Sequence, residues 1–320
     1  MTIEVTAVRL AEPGSTPEVA RAELREPAVG EVVVDMCFAS LNPLDTYVMS
    51  GSVGAQAEWP RTLGVEGVGL HDGRPVVVHG AGLGITRDGT WATRVVAPRD
   101  ALVPVPDGVG LEAAACAAVV GTTAVRVTGD VGGIGATDRV LVLGAAGGVG
   151  QAVCSLARFA GAQVWGQTAA PEKAKAVEAA GATPIQAATA AELALAADSV
   201  APTVVFDALG GAFTAAAVHL LADYGRLVSY GTSAAPDSTL SMRAVYRKNL
   251  TIAGYGGVAE PPQRIRQGTV EALRALREGS MVIPVHAVFP MARAASAVTA
   301  LTTRTASGKI LLDLRHQDPS

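Results

Sequence analysis

Between residues 138 and 255, short runs of consecutive apolar residues alternate with longer stretches in which small and apolar positions recur at helical spacing. A continuous apolar run is the mark of a parallel strand covered on both faces, and strands alternating with helices define a doubly wound sheet. The pattern predicts strands over 139–143, 163–167, 203–206, 226–230 and 250–253, with helices over 148–160, 171–180, 190–197 and 211–222. Pro171 at the start of one helix and Gly181 just past its end follow the usual start and stop asymmetry. The first hundred residues differ. Segments such as 31–36 and 93–97 alternate apolar with polar positions between Gly and Pro turns, the pattern of half-buried strands. Beyond residue 257 the pattern gives a helix over 264–278, an extended stretch over 283–289 and a final strand over 309–314.

These changes of period divide the chain. Residues 1–120 and 258–320 read as two parts of one β-rich domain, and 121–257 as an α/β domain with a parallel sheet inserted between them. Ligand is expected at the carboxyl ends of the parallel strands, facing the β-rich domain. With 49% hydrophobic residues in 320, disorder is excluded, and no stretch reaches the roughly 18 uninterrupted apolar residues of a membrane span. The amino-terminal residues alternate like a strand and lack the basic and apolar regions of a signal peptide. Cys37, Cys116 and Cys154 lie far apart, which suggests neither a disulfide framework nor a CxxC metal site and fits a reducing cytoplasm. The 25 basic and 29 acidic residues give a net charge of −4 with no basic run, so small molecules rather than nucleic acid are the expected partners.

The most specific chemistry lies where the apolar run of Val140 to Leu143 meets Gly144-Ala-Ala-Gly-Gly-Val-Gly150 and then an apolar helix. A helix opening at such a turn points its first unpaired amides, with the positive end of its dipole, at an anion. Ala145, Gly147 and Gly150 give the spacing AxGxxG. Gly147 lets the backbone approach a pyrophosphate, and Gly150 lets the helix pack against its strand. Ala146, Gly148 and Val149 complete the cradle, and a bound dinucleotide is inferred. The other glycine clusters, 80–84 and 129–135, lack these flanks, and the second reads as a flexible loop.

The second strand ends at Thr168, where an NAD site would carry Asp or Glu for the ribose 2′-hydroxyl. A small neutral residue there leaves room for a 2′-phosphate, and Lys173, in the first turn of the next helix, can reach it as a point charge, so NADPH is the expected cofactor. Sheet topology adds the loops after the fourth and fifth strands: Asp207, Gly210, Tyr230 and Gly231 should border the nicotinamide and its ribose. Both glycines are equally readable as turn residues.

The order of these parts, with the strings Asn42-Pro-Leu-Asp-Thr-Tyr-Val48, Leu63-Gly-Val-Glu-Gly-Val-Gly69, Gly89-Thr-Trp-Ala92, Gly121-Thr-Thr-Ala124, the glycine turn and Ser307-Gly-Lys-Ile-Leu311, resembles the medium-chain dehydrogenase/reductase superfamily. Within it the chain is most similar to the zinc-independent quinone oxidoreductases related to zeta-crystallin. The resemblance implies a Rossmann domain inserted in a GroES-like β-rich domain. It places Asn42, Asp45, Tyr47 and Thr123 near the nicotinamide, with Asn42 hydrogen-bonding the acceptor oxygen and Tyr47 as the candidate proton donor. For Asp45, a carboxylate fixing the local loop is preferred over acid–base work. The resemblance also brings Arg304 toward the 2′-phosphate, while Ala188 stands where a tyrosine often contributes.

Zinc-dependent relatives hold their metal with a Cys and a His at the places occupied here by Asn42 and Val65. Asp45 and Glu66 cannot replace both, so no metal is expected. His71, His79, His219, His286 and His316 show no metal spacing. Hydride transfer without a metal suits an acceptor that delocalises the incoming electrons, such as a quinone or another conjugated carbonyl compound. Reduction of enones, alkenals or enoyl thioesters is the alternative, although residues 51–54 lack the Gly-x-Tyr-Pro string of enoyl thioester reductases. A nucleotide-binding sensor or crystallin-like structural protein is the non-enzymatic reading. The apolar terminal strand of the sheet predicts a homodimer.

Overall fold

In the computed structural model, which describes residues 3–54 and 56–315, the chain forms two compact units. One contains residues 120–260 and 278–284; the other contains 1–119, 261–277 and 285–320.

In the first of these, the apolar runs become a six-stranded parallel sheet. Its order is Thr183–Gln186, Gln163–Thr168, Arg139–Leu143, Val204–Asp207, Arg226–Ser229, Thr251–Gly254. The first two crossovers run one way from Arg139–Leu143 and the later ones the other way, which is the Rossmann order and creates a switch point at that strand. Val140 to Leu143 and Val204 to Phe206 are wholly buried because helices cover both faces. Leu193, Val218 and Leu221 pack on one side around Leu141, Val205 and Leu227. Burying such side chains stabilises the sheet by about 2 kcal/mol each.

Thr183–Gln186 is a strand that the apolar pattern does not reveal. Of its four residues only Ile185 is fully buried, and Pro184 removes a ladder donor, which is tolerable because the strand lies at the sheet edge. The helix expected over 171–180 is two pieces, a 3₁₀ turn Pro171–Lys173 and a helix Ala174–Ala179. The cluster 129–135 is corrected as well. Its first residues belong to a π-helical segment, Arg126–Val131, and Gly132 lies so close to the Phe206 ring that an added Cβ would come within 2.8 Å. That cluster is a packed turn.

The other unit is built on antiparallel ladders. The long strand Glu31–Ser40 pairs with Arg94–Pro98, Glu66–His71 and Lys309–Asp313, and Val285–Pro290 lies parallel to the last. Alternation along Glu31–Ser40 ends at Met36, where a bulge near Cys37 shifts the register and the rest of the strand is buried on both faces. This carries the chain inward to Asn42. A helix Ala294–Thr302, not evident from its modest amphipathicity, buries Ala294 and Ala297 against Met291, Ile310 and Leu312. Among the described residues no helix is long and apolar enough to cross a membrane.

Candidate active site

In the sheet unit, Gly144 turns the chain out of its strand with φ of +71°, a conformation that favours glycine. Its N–H donates to Gln167 Oε1 at 2.9 Å, and the Ala145 N–H donates to the Gln167 carbonyl at 2.9 Å. Gly147 caps the helix Gly148–Phe159, and Gln151 Nε2 donates to the Ala146 carbonyl at 2.9 Å. At Gly150 an added Cβ would lie 2.4 Å from the Gly144 oxygen, so the helix sits against the turn only because that side chain is absent. The amides of Gly148, Val149 and Gly150 find no acceptor among the described residues. With the helix dipole behind them, they form a cradle for an anion.

Gln167 is a residue that sequence reasoning passed over. Its side chain holds the Gly144 amide and donates through Nε2 to the Ala187 carbonyl at 2.6 Å, tying the turn to the end of the third strand. The available signal was an amide side chain at the end of an otherwise apolar strand. Thr168, next to it, is buried. Lys173 is half-buried in the 3₁₀ turn that follows, and burial lowers its pKa against the opposing effect of Glu172.

The loops after the fourth and fifth strands are more self-contained than their assignment as cofactor contacts implied. Asp207 is fully buried. Its Oδ1 accepts from the Leu209 and Gly210 amides at 2.8 and 3.1 Å, and Oδ2 accepts from Thr214 Oγ1 at 2.5 Å. The carboxylate therefore organises its own loop. Gly210 has φ of +75°, and a Cβ there would stand 2.2 Å from the Ala235 oxygen, so its lack of a side chain serves a backbone contact. At Gly231 the nearest atom to such a Cβ is the Ala208 oxygen at 3.1 Å. The Tyr230 N–H donates to the Asp207 carbonyl at 2.9 Å, while its phenol oxygen is buried with no partner among the described residues and burial drives its pKa up. Thr123 is half-buried on the short helix Thr122–Val125.

In the β-rich unit, Asn42 precedes the helix Pro43–Met49 and is 1% exposed. Its Nδ2 donates to Glu66 Oε1 at 2.9 Å and to the Ser40 carbonyl at 3.3 Å, and its Oδ1 accepts from Lys309 Nζ at 2.7 Å. Lys309 Nζ also donates to the Leu41 carbonyl at 2.5 Å and lies 4.0 Å from Glu66 Oε1. The second Glu66 oxygen accepts from the Val119 amide at 2.8 Å. Asn42, expected to bind an acceptor oxygen, thus has both amide hydrogens engaged within the protein. This corrects that role: the side chain holds a buried ion cluster. Lys309 was not singled out as a site residue, since a lysine in a family string gives no sign of burial.

Asp45 is buried, with Oδ2 accepting from the Asn42 amide at 2.7 Å and Oδ1 from the Val65 amide at 3.1 Å. It fixes the start of its helix. Burial pushes its pKa up to about 7, opposed by the Asn42 amide and the Lys309 ammonium. Tyr47, on the same helix, is 48% exposed, and its phenol makes no hydrogen bond among the described residues. Arg304 is exposed in this unit, in the left-handed region at φ of 55° just after the helix Ala294–Thr302.

The residues do not fit a zinc ion. Asn42 and Val65 offer no soft ligand, Glu66 and Asp45 are engaged as described, and His79 Nδ1 donates to the Val65 carbonyl at 2.7 Å. Among the described residues no three His, Cys, Asp or Glu side chains converge as a metal site; His316 lies outside them.

Comparison with known proteins agrees with this architecture. Residues 148–275 match the family described as zinc-binding dehydrogenase. The chain is 27% identical over 307 residues to a quinone oxidoreductase of Pseudomonas aeruginosa, covering 90% of this chain and 92% of that protein. It is also 27% identical over 318 residues to a mycocerosic acid synthase-like polyketide synthase of Mycobacterium tuberculosis, where the match takes in 94% of this chain but only 15% of the relative's length. The solved structure of mycobacterial Rv1454c complexed with NADPH superposes with a TM-score of 0.85 at 24% identity, covering 97% of this chain and 99% of that one. A chain that combines a parallel sheet carrying a glycine turn with a separate β-rich unit has the architecture of a dehydrogenase or reductase. Together these matches support a quinone oxidoreductase-like member of the medium-chain dehydrogenase/reductase superfamily.

Asp45 generates a test. A carboxyl whose pKa is higher folded than unfolded stabilises the fold fully below its unfolded value, near 3.8, and that contribution is lost as pH rises through about 7. Relative to Asp45→Asn, the native protein should therefore lose stability between about pH 4 and 7, by up to about 4 kcal/mol in denaturant titrations. A difference that stays constant or grows with pH over this range contradicts the assignment.

Proposed function

We propose that the chain is an NADPH-dependent, metal-independent reductase that transfers hydride to a quinone or another conjugated carbonyl compound. The observation that carries the reading is the end of the glycine-turn motif: three helix amides with no acceptor among the described residues lie beside a strand that closes on Thr168 instead of a carboxylate. The amides of Gly148 and Val149 would hold the pyrophosphate, and Lys173 the 2′-phosphate. NADPH, when bound, supplies the hydride.

The protein's own part is to hold the reactants and manage the proton. The buried cluster of Asn42, Glu66 and Lys309 fixes the turn that carries Tyr47 without a metal, and a site without a metal suits an acceptor able to spread negative charge over a conjugated system. Tyr47 carries the exposed phenol that can return a proton to the reduced acceptor. The quinone oxidoreductase relative supports this acceptor class.

Purified protein should oxidise NADPH when supplied with quinones or conjugated enones; NADPH binding with no oxidation above buffer would leave a nucleotide-binding role instead. Lys173→Ala should weaken NADPH about tenfold, equivalent to about 1.4 kcal/mol, while leaving NADH unchanged. An unchanged NADPH dissociation constant, or NADH bound equally tightly by the native protein, removes the phosphate assignment. The edge strand Thr251–Gly254 exposes Ile252, and the helix before it exposes Met242 and Tyr246, a face suited to a second copy of the chain. Light scattering should give twice the chain mass, and Ile252→Lys should halve it.

A further inference from the structure

Lys309 is 5% exposed and is neither the hydride source nor the proton donor of the proposed chemistry. Its ammonium nevertheless touches each part of the buried cluster. It donates to the Leu41 carbonyl and to Asn42 Oδ1, and Asn42 in turn donates to Glu66. An amide side chain can be held in either of two orientations. Here the choice is forced, because an ammonium can only donate and a carboxylate can only accept. Lys309 must therefore face the Asn42 oxygen and Glu66 the nitrogen. The same Asn42 supplies the backbone amide that binds Asp45, so the three charged groups share one asparagine.

We propose that Lys309 is a positioning residue of this site: its ammonium fixes the orientation of the Asn42 amide and balances the two buried carboxyl groups, so that the turn carrying Asp45 and Tyr47 keeps one geometry. The proposal rests on the reductase reading for its kinetic consequence and on the cluster alone for its electrostatic one. The groups facing Asp45 are Lys309 from the final strand, Glu66 from the strand Glu66–His71, and the Asn42 and Val65 amides. The Cys116 thiol, buried beside Lys309 and Glu66, completes the set and has its pKa pushed up to about 12 by burial. Lys309 favours the ionised form of Asp45 and Glu66 disfavours it. Removing one or the other must move Asp45 in opposite directions, which generic damage to the fold would not do.

The experiment compares Lys309→Met, Lys309→Arg and Glu66→Gln. The first readout is melting temperature against pH, each variant measured against its own Asp45→Asn partner. Lys309→Met should move the pH window of lost stability upward by about one unit, Glu66→Gln should move it downward, and Lys309→Arg should leave it in place. The second readout is turnover of NADPH with a quinone. Lys309→Met should lower kcat at least tenfold with KM for NADPH within twofold of native, and Lys309→Arg should recover part of the loss. The proposal is overturned if the two charge-removing variants shift the window the same way or not at all. It is equally overturned if Lys309→Met melts lower at every pH but turns over as the native protein does. Should Lys309→Met fail to fold, the other two variants decide: the proposal stands if Glu66→Gln moves the window downward while Lys309→Arg leaves it in place, and is overturned otherwise. Should native protein turn over no quinone or enone, the reductase reading falls, and the pH window alone judges Lys309.

Discussion

An ammonium and two carboxyl groups are withdrawn from water within a few ångströms of one another at the inner end of the strand Glu31–Ser40. Each ion costs several kcal/mol to desolvate, and their attraction offsets that cost only when the remaining donors and acceptors are matched. Here they are. The Val119, Val65 and Asn42 amides, the Leu41 carbonyl and the Asn42 side chain take up the oxygens and hydrogens that the ions do not satisfy among themselves. Much of the β-rich unit serves this arrangement. The bulge near Cys37 sends the strand inward, the helix Pro43–Met49 starts on Asn42, and the last strand is placed to deliver its lysine.

The sheet unit solves a different problem with little charge. Its turn must leave amides exposed while the helix behind them presses close to the strand. Gly150 permits the approach, and Gln167 ties up the amides of Gly144 and Ala145, the two that would otherwise compete in orientation with the three kept free. Preorganised donors of this kind lose little freedom when an anion arrives, and so more of the interaction appears as affinity.

Much of this was legible in the chain. Apolar runs marked five of the six parallel strands, most clearly Arg139–Leu143 and Val204–Asp207, because strands buried on both faces leave few polar positions to interrupt them. Thr183–Gln186 escaped because an edge strand with one buried residue carries almost no pattern. Among site residues, the glycine spacing of the turn and the bond from the Asn42 amide to Asp45 could be read locally, since each lies within a few positions, whereas the Val65 and Gln167 bonds that complete them could not. Asn42 was found by resemblance but given the wrong bonds. Lys309 was passed over altogether. Both failures have one cause: the partner that decides the chemistry lies far away in sequence, and periodicity carries no information across such distances.

The separation of Lys309 from Asn42, 267 positions along the chain, also orders events during folding. The parallel sheet is made from nearly continuous sequence and can form as its strands emerge. The ion cluster must wait for one of the last strands, so Glu66 and Asp45 spend the earlier stages without their counter-charge. A chain still being synthesised would hold that half-built pocket open to water, hydrated rather than collapsed, until the lysine arrives to close it.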